Sequence, residues 1–295
     1  MEALDDTVHL LVGVCVTRQD WVNYHRSLYD SFSNIATHWK TKVLFYVVLQ
    51  GGNQGGNDEV LPNINSKASL NVEIFNTTFM GVSRARNICI DKAKHVNAEF
   101  ILFHDASIFW TSSAAEFIAH HCHDEIVTKV KVAFSDTIRE ISASLCQSLS
   151  LGVVRKINPF YDAYVWSYLF NVAKLQNIAF DERFGPGQET HFKSGEDVIF
   201  LFDYFSKINS FCVFEAINAS VIHPPRSADF DKHLIYASGQ GKIFSLLVRK
   251  YPSLRIFIDL GLFFGNAVFR CLLLKPNAFK ILRQRFNGFF DRGVK

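Results

Sequence analysis

Two adjacent carboxylates, Glu196 and Asp197, follow Gly195 and stand directly ahead of the apolar run Val198-Ile199-Phe200-Leu201. Acids at a helix start are favoured by the unpaired backbone N–H groups and the helix dipole. On the rim of a cleft such a carboxylate is suited to take a proton from a hydroxyl as a general base. The same residues also fit an acidic helix cap with no chemistry. A further carboxylate, Asp105, follows the hydrophobic run Phe100-Ile101-Leu102-Phe103. An acid at a strand end can hold a hard divalent cation such as Mg²⁺ or Mn²⁺, or it can simply cap the next turn. In Ser83-Arg84-Ala85-Arg86-Asn87, the guanidinium groups of Arg84 and Arg86 suit a diphosphate or a carboxylate, or are plain helix surface charges.

These residues need a scaffold, and the first half of the chain supplies an alternation of short apolar runs and helical patterns. Residues 9–16, 43–49, 72–76 and 100–103 read as strands, and residues 21–39 and 83–95 as helices. Such alternation predicts an α/β fold with a mostly parallel central sheet and ligands at the carboxyl ends of the strands. Thr17, Gln50 and Asp105 all follow such ends. Beyond residue 110 the pattern predicts strands near 129–134 and 211–215, and helices over 163–176 and 197–208. From residue 242 the chain reads as helical, giving a division into residues 1–240 and a C-terminal helical, amphipathic and basic extension, residues 241–295. Residues 256–274 approach the length of a bilayer span, but Asp259, Asn266 and Arg270 make spanning costly. Two readings of the extension remain. It attaches to one face of a membrane, with Lys280, Arg283, Arg285, Arg292 and Lys295 toward anionic lipid, or it packs on the domain or on another subunit as a homo-oligomer.

Composition narrows the classes. A chain of 295 residues, 48% of them hydrophobic, can bury a substantial core and is not disordered. A formal net charge of +3, with no basic tract interleaved with aromatics in the first two thirds, argues against nucleic acid. The six cysteines never form a C-x-x-C pair and read as buried thiols of a reducing compartment. The acidic N-terminus lacks the features of a signal peptide, so cytoplasmic residence is expected and the sequons at Asn76 and Asn218 are expected to be fortuitous. The glycine-rich stretch from Gly51 to Gly56 lacks the G-K-[ST] ending of a phosphate loop. His120-His121-Cys122-His123-Asp124 is expected to be a solvated helix, because neighbours on a helix diverge around its axis. No G-x-S-x-G elbow is present. Trp166 reads either as a flat aromatic surface for stacking a ligand or as core.

Taken in order, Thr17-Arg18 after a strand, Ser83-Arg84-Ala85-Arg86-Asn87 opening a helix, Phe103-His104-Asp105-Ala106-Ser107 after a strand and Gly195-Glu196-Asp197 before a helix follow the plan of GT-A glycosyltransferases. Phe180-Asp181-Glu182-Arg183-Phe184-Gly185-Pro186-Gly187 leading to Ser194-Gly195-Glu196-Asp197-Val198-Ile199-Phe200-Leu201, and the later Val221-Ile222-His223-Pro224-Pro225, carry the likeness further. Over roughly residues 8–250 the chain resembles bacterial family 2 glycosyltransferases that build capsule and lipopolysaccharide O-antigen.

The resemblance implies a Rossmann-like GT-A domain that binds a nucleotide-sugar donor, UDP-linked, and transfers the sugar with inversion to a glycan or lipid-linked acceptor, the enzyme itself being cytoplasmic or peripheral on the inner face of the cytoplasmic membrane. It implies that Thr17, Arg18 and Gln50 line the nucleotide pocket and that Arg84, Arg86 and Asn87 place the diphosphate. Asp105 would hold a divalent cation, Mn²⁺ or Mg²⁺, as first acid of a D-x-D motif, with Ser107 and His223 as further ligands. Asp197 would be the general base, Glu196 would orient hydroxyls, and Trp166 and Gly187 would lie on the acceptor side. Two departures matter. Ser107 stands where the family carries a second acid, and Gln50-Gly51-Gly52 replaces an acid-rich loop used for the nucleobase. The first gives weight to an alternative, a catalytically silent nucleotide-sugar or glycan-binding subunit of an assembly complex.

Overall fold

The computed structural model describes residues 8–39, 41–51, 70–123, 125–135, 151–187, 190–225 and 230–291. Gly52 to Gly56, Asp124, Cys146, Arg292 and Lys295 lie outside these described residues. The chain divides into two compact units, the first formed by Met1–Met80, Arg84–Ala179 and Leu201–Arg226, the second by Gly81–Ser83, Phe180–Phe200 and Ser227–Lys295.

The first unit is built on the predicted α/β alternation. Strand β1 (Leu10–Thr17) leads into helix α1 (Arg18–His38), then β2 (Val43–Gln50), β3 (Val72–Thr77), helix α2 (Val82–His95) and β4 (Phe100–Asp105). Short β5 (Phe109–Trp110), helix α3 (Ser112–His120), β6 (Val127–Phe134), β7 (Gly152–Lys156) and β8 (Leu169–Asn171) follow. The main sheet has the order β3-β2-β1-β4-β8. Its first four strands are parallel, and β8 closes the edge antiparallel to β4. Parallel strands covered on both faces read as unbroken apolar runs, and β2 is buried along its whole length.

The pleat decides which helix each residue meets. Phe45 of β2 and His104 of β4 share a face on which α1 places Phe32, whose ring stacks on Phe45 at 4.5 Å. On the opposite face α2 approaches Gly13 with Cys89 and sets the Lys92 ammonium over the Tyr46 ring at 5.2 Å. Consecutive residues at the end of β4 therefore part company, His104 toward α1 and Asp105 toward α2.

A second sheet has the order β5-β9-β6, with β7 also pairing β9, where β9 is Cys212–His223. Glu215 of β9 accepts hydrogen bonds from Lys129 of β6 and Arg155 of β7, and Arg155 also reaches Asp162 at 2.8 Å. Burial opposes the charge on Glu215, but the bonds from Arg155 and Lys129 outweigh it and hold the carboxyl below its usual range.

The helix expected over residues 163–176 is not formed. Two short 3₁₀ turns, Val165–Ser167 and Val172–Leu175, flank β8 instead. Residues 165–170 are buried on every side, so no amphipathic stripe exists, and the β-prone run Tyr168-Leu169-Phe170 is captured by the open edge of β4. The helix expected through residues 120–124 also stops early, with α3 ending at His120. Strand β9 runs eight residues beyond the expected end at 215.

In the second unit, α4 (Glu196–Lys207) begins, and α5 (Phe230–Lys250), α6 (Leu254–Leu272) and α7 (Ala278–Phe290) follow. The expected boundary at residue 240 falls inside α5. Lys242 of α5 pairs with Asp291 after α7, and Arg285 of α7 lies over the Phe263 ring of α6 at 3.9 Å while donating to its carbonyl at 2.7 Å. Among the described residues no helix is long and apolar enough to cross a membrane, and Cys15, Cys89, Cys122, Cys212 and Cys271 are free thiols.

His104 is fully buried, with Nδ1–H donating to the Asp105 carbonyl at 2.8 Å and Nε2 facing Ser31 Oγ at 2.8 Å. Burial, only partly offset by that carbonyl and the Asp105 charge, lowers its pKa from 6.5 to about 4. Because the folded value lies below the unfolded one, the unfolded chain binds the extra proton in this window. Stability is complete above pH 6.5 and falls as pH drops toward 4. The loss reaches up to roughly 3 kcal/mol. Denaturant melts in chelator at stepped pH check this against His104→Asn, which is expected to lack that share of the slope; equal slopes in both proteins contradict it.

Candidate active site

The carboxyl ends of the parallel strands line up on one edge of the main sheet. Thr17 pairs with Gln50, Gln50 with Thr77 and Cys15 with Asp105, so the residues expected to meet the donor share that edge. Thr17 is the N-cap of α1: its hydroxyl accepts from Asp20 N–H at 3.1 Å, and its backbone N–H donates to the Asp20 carboxylate in a capping box. The threonine side chain is thus committed to the helix start, with Arg18 half-buried on the first turn. Gln50 is buried and its Oε1 accepts the Met80 N–H at 3.0 Å, tying the end of β2 to the segment after β3. That bond fixes the amide orientation and leaves the carboxamide –NH₂ as the group able to donate to a nucleobase.

Arg86 and Asp105 form the centre of this edge. The Arg86 guanidinium is 3% exposed, and Nη2 donates to Asp105 Oδ1 at 2.9 Å, while the Asp105 side chain is 32% exposed. The arginine is therefore held inside and the carboxylate presents its outer side. Neighbouring Arg84 is exposed and Asn87 half-buried on α2.

Around Glu196 and Asp197 the second unit folds a pinned loop. Phe184 pairs with Phe192, Ser83 Oγ donates to the Phe184 carbonyl at 2.6 Å, and Val82 N–H donates to the Pro186 carbonyl at 3.1 Å. Thr190 Oγ1 lies 2.6 Å from the Gly185 carbonyl and Lys193 Nζ 2.6 Å from that of Gly187. Gly185, at φ +107°, leaves room for the Glu196 carboxyl, which a Cβ there would meet at 3.3 Å. Gly195, at φ +115°, starts α4 where a Cβ would strike the Ile243 side chain at 2.3 Å. Both acids sit half-buried in the first turn, and the Glu196 charge, after burial, helps to raise the pKa of Tyr236.

The residues expected to hold a cation can be tested by their hydrogen bonds. β5 pairs antiparallel with β9, Phe109 opposite Ile222, which carries His223 beside the segment holding Ser107. His223 Nδ1 bonds the Pro224 carbonyl at 2.5 Å, so Nε2 keeps its lone pair, the arrangement that metal-bearing imidazoles adopt. Asp105, Ser107 and His223 thus fit a divalent cation in ligand type. Among the described residues, His9, Glu99 and His123 are also close enough to share an ion. They lie at the opposite, amino end of the strands, beside a cavity of about 380 Å³ lined in part by His9, Trp39 and His123. Trp39 Nε1–H donates to His9 Nδ1 at 2.9 Å, which leaves the proton on Nε2, 2.6 Å from Glu99. The nitrogen facing the group therefore has no lone pair to give, and an indole cannot accept the proton that ligation would move to Nδ1.

Trp166 is 3% exposed, its ring stacked on His223 at 5.7 Å and tilted against Tyr164 at 5.2 Å. Its faces are in use, which favours the core reading over a sugar platform. Gly187 belongs to the pinned loop. Sequence reasoning missed Tyr236 beside Glu196 and Ser83 beneath Phe184, since no spacing links residues so remote in the chain. His104 was within reach, because strand alternation turns it away from Asp105.

No protein-family model and no curated protein matches the chain. Solved structures do. The Pyrobaculum calidifontis mannosyltransferase PcManGT, in complex with GDP-Man and Mn²⁺, superposes with a TM-score of 0.52 at 14% identity, covering 97% of this chain and 76% of that one. S. aureus TarS residues 1–349, in complex with UDP-GlcNAc, gives 0.51 at 14% identity, covering 96% and 73%. The fold is accordingly that of GT-A glycosyltransferases, as the order of motifs implied.

Gly195→Ala forces a side chain into a left-handed backbone and into Ile243. It is expected to destabilise the protein by about 2–4 kcal/mol in chemical denaturation. A loss below about 0.5 kcal/mol, the size of an ordinary surface substitution, contradicts the described turn.

Proposed function

We propose that the chain is an inverting glycosyltransferase that moves a sugar from a nucleotide-sugar donor, UDP-linked, to a hydroxyl of a glycan or lipid-linked acceptor in bacterial surface polysaccharide synthesis. The observation that carries the reading is the buried Arg86 paired with the half-exposed Asp105 at the ligand edge of a GT-A sheet. The complexes of the structural neighbours with UDP-GlcNAc and with GDP-Man and Mn²⁺ support a nucleotide-sugar as donor.

In the reaction an acceptor oxygen forms a bond to the anomeric carbon while the bond from that carbon to the phosphate oxygen breaks. The electron pair leaves with the nucleoside diphosphate, and the hydroxyl proton must go to a base. Asp197 takes it, in the first turn of α4 where the helix dipole favours its charged form. Glu196, close against Gly185 and near enough to Tyr236 for its charge to raise that hydroxyl's pKa, orients hydroxyls. The Arg86 guanidinium meets negative charge growing on the departing phosphate, a charge larger in the transition state than in the ground state. Asp105, Ser107 and His223 would hold a divalent cation, which when bound supplies further positive charge to the diphosphate. Ser107, a neutral ligand where an acid is usual in the family, favours the second reading of a silent donor-binding subunit; acceptor-dependent release of nucleoside diphosphate separates the two.

Asp197→Asn is expected to lower kcat by about a hundred- to ten-thousand-fold while leaving the donor Kd unchanged by calorimetry. Near-normal turnover removes Asp197 from the role. Asp105→Ala is expected to weaken donor binding and abolish any response to Mn²⁺ together; activity unchanged in excess chelator removes the cation from the scheme while leaving the transfer reading intact.

A further inference from the structure

Helix α6 turns a broad apolar face to solvent. Phe257, Ile258, Leu262, Val268, Phe269 and Leu272 recur at helical spacing on one arc, each at least 44% exposed, while Ile256, Phe263, Ala267 and Cys271 point the other way and are buried. The arc continues onto α7, because Phe264 stacks on Phe286 at 4.6 Å and Phe279, Phe286 and Phe290 are themselves exposed. Single exposed apolar residues need no explanation, but a contiguous field across two helices marks a surface that meets something other than water.

Charge identifies the partner. From Leu254 to Phe290 the chain carries Arg255, Arg270, Lys275, Lys280, Arg283 and Arg285 against a single acid, Asp259, and that acid is buried. Arg255, Lys275, Lys280 and Arg283 are exposed. A second copy of the chain would bring the same cations against these, at a cost in like-charge repulsion. An anionic bilayer supplies both complements, headgroup charge for the cations and acyl chains for the phenylalanines and leucines. Asp259 and Arg270 on the same helix exclude a spanning arrangement, which fits a helix pair lying in the plane of the interface.

We propose that the exposed α6–α7 face docks on the surface of a bilayer containing anionic phospholipid. The docking is independent of the sugar-transfer reading.

The test is co-sedimentation of the full chain with vesicles of phosphatidylcholine alone and of phosphatidylcholine with about a third phosphatidylglycerol. The wild type is expected to bind the anionic vesicles at least about tenfold more tightly. The double variant L262E/F269E is expected to lose binding to both, with an unchanged circular dichroism spectrum. K280E/R283E, which leaves the apolar arc intact, is expected to lose the preference for anionic vesicles. Absence of wild-type binding to anionic vesicles overturns the proposal. So does a wild-type dimer in light scattering that L262E/F269E dissociates without any vesicle binding, the outcome that Gly261 and Gly265 on the same arc would favour.

Discussion

A guanidinium cannot shed its charge in a protein, so burying Arg86 obliges the fold to set a carboxylate against it. Asp105 is that carboxylate, and its position follows from the pleat of β4, which sends His104 to α1 and Asp105 to α2. The pair joins the helix carrying the Ser-Arg-Ala-Arg-Asn run to the strand end where a ligand is expected. In the proposed reaction an incoming diphosphate would compete with Asp105 for Arg86, an incoming cation would compete with Arg86 for Asp105, and a cation–diphosphate complex would meet both.

The loop at the start of α4 follows a different logic. Its carboxylates are placed by glycines whose backbone a side chain could not follow. Gly195 turns the chain into the helix, and Gly185 lets the Glu196 carboxyl come close. Ser83, Thr190 and Lys193 then satisfy the carbonyls of the loop. Precision here comes from backbone geometry and hydrogen bonds, which suits residues whose proposed work is to receive a proton and orient hydroxyls.

Strand positions at the main sheet were legible in the sequence because buried parallel strands are short unbroken apolar runs bounded by helices, and Thr17, Gln50 and Asp105 could be placed by counting to the strand ends. The segment around Trp166 was not legible. Its aromatics are buried on all sides, so neither period 2 nor period 3.6 shows, and only the open edge of β4 decides that it pairs. The His120 to His123 cluster illustrates the same limit from the other side. Its members separate, His121 packing on Phe117 and Phe214, and His123 meeting Glu99 and His9 from the start of other strands. Whether those residues suit an ion depends on the proton that Trp39 imposes on His9, which no spacing reveals.

The central claim is that the Arg86–Asp105 edge receives a nucleotide diphosphate sugar. A thermal-shift titration of the wild-type chain with UDP-sugars and GDP-sugars, each with and without Mn²⁺, addresses it most directly, since a ligand that binds only the native state raises the melting temperature. The account predicts a saturable rise with a UDP-sugar, larger in Mn²⁺ and absent from Arg86→Ala. No rise with any nucleotide-sugar, or an equal rise in the Arg86→Ala protein, would contradict it.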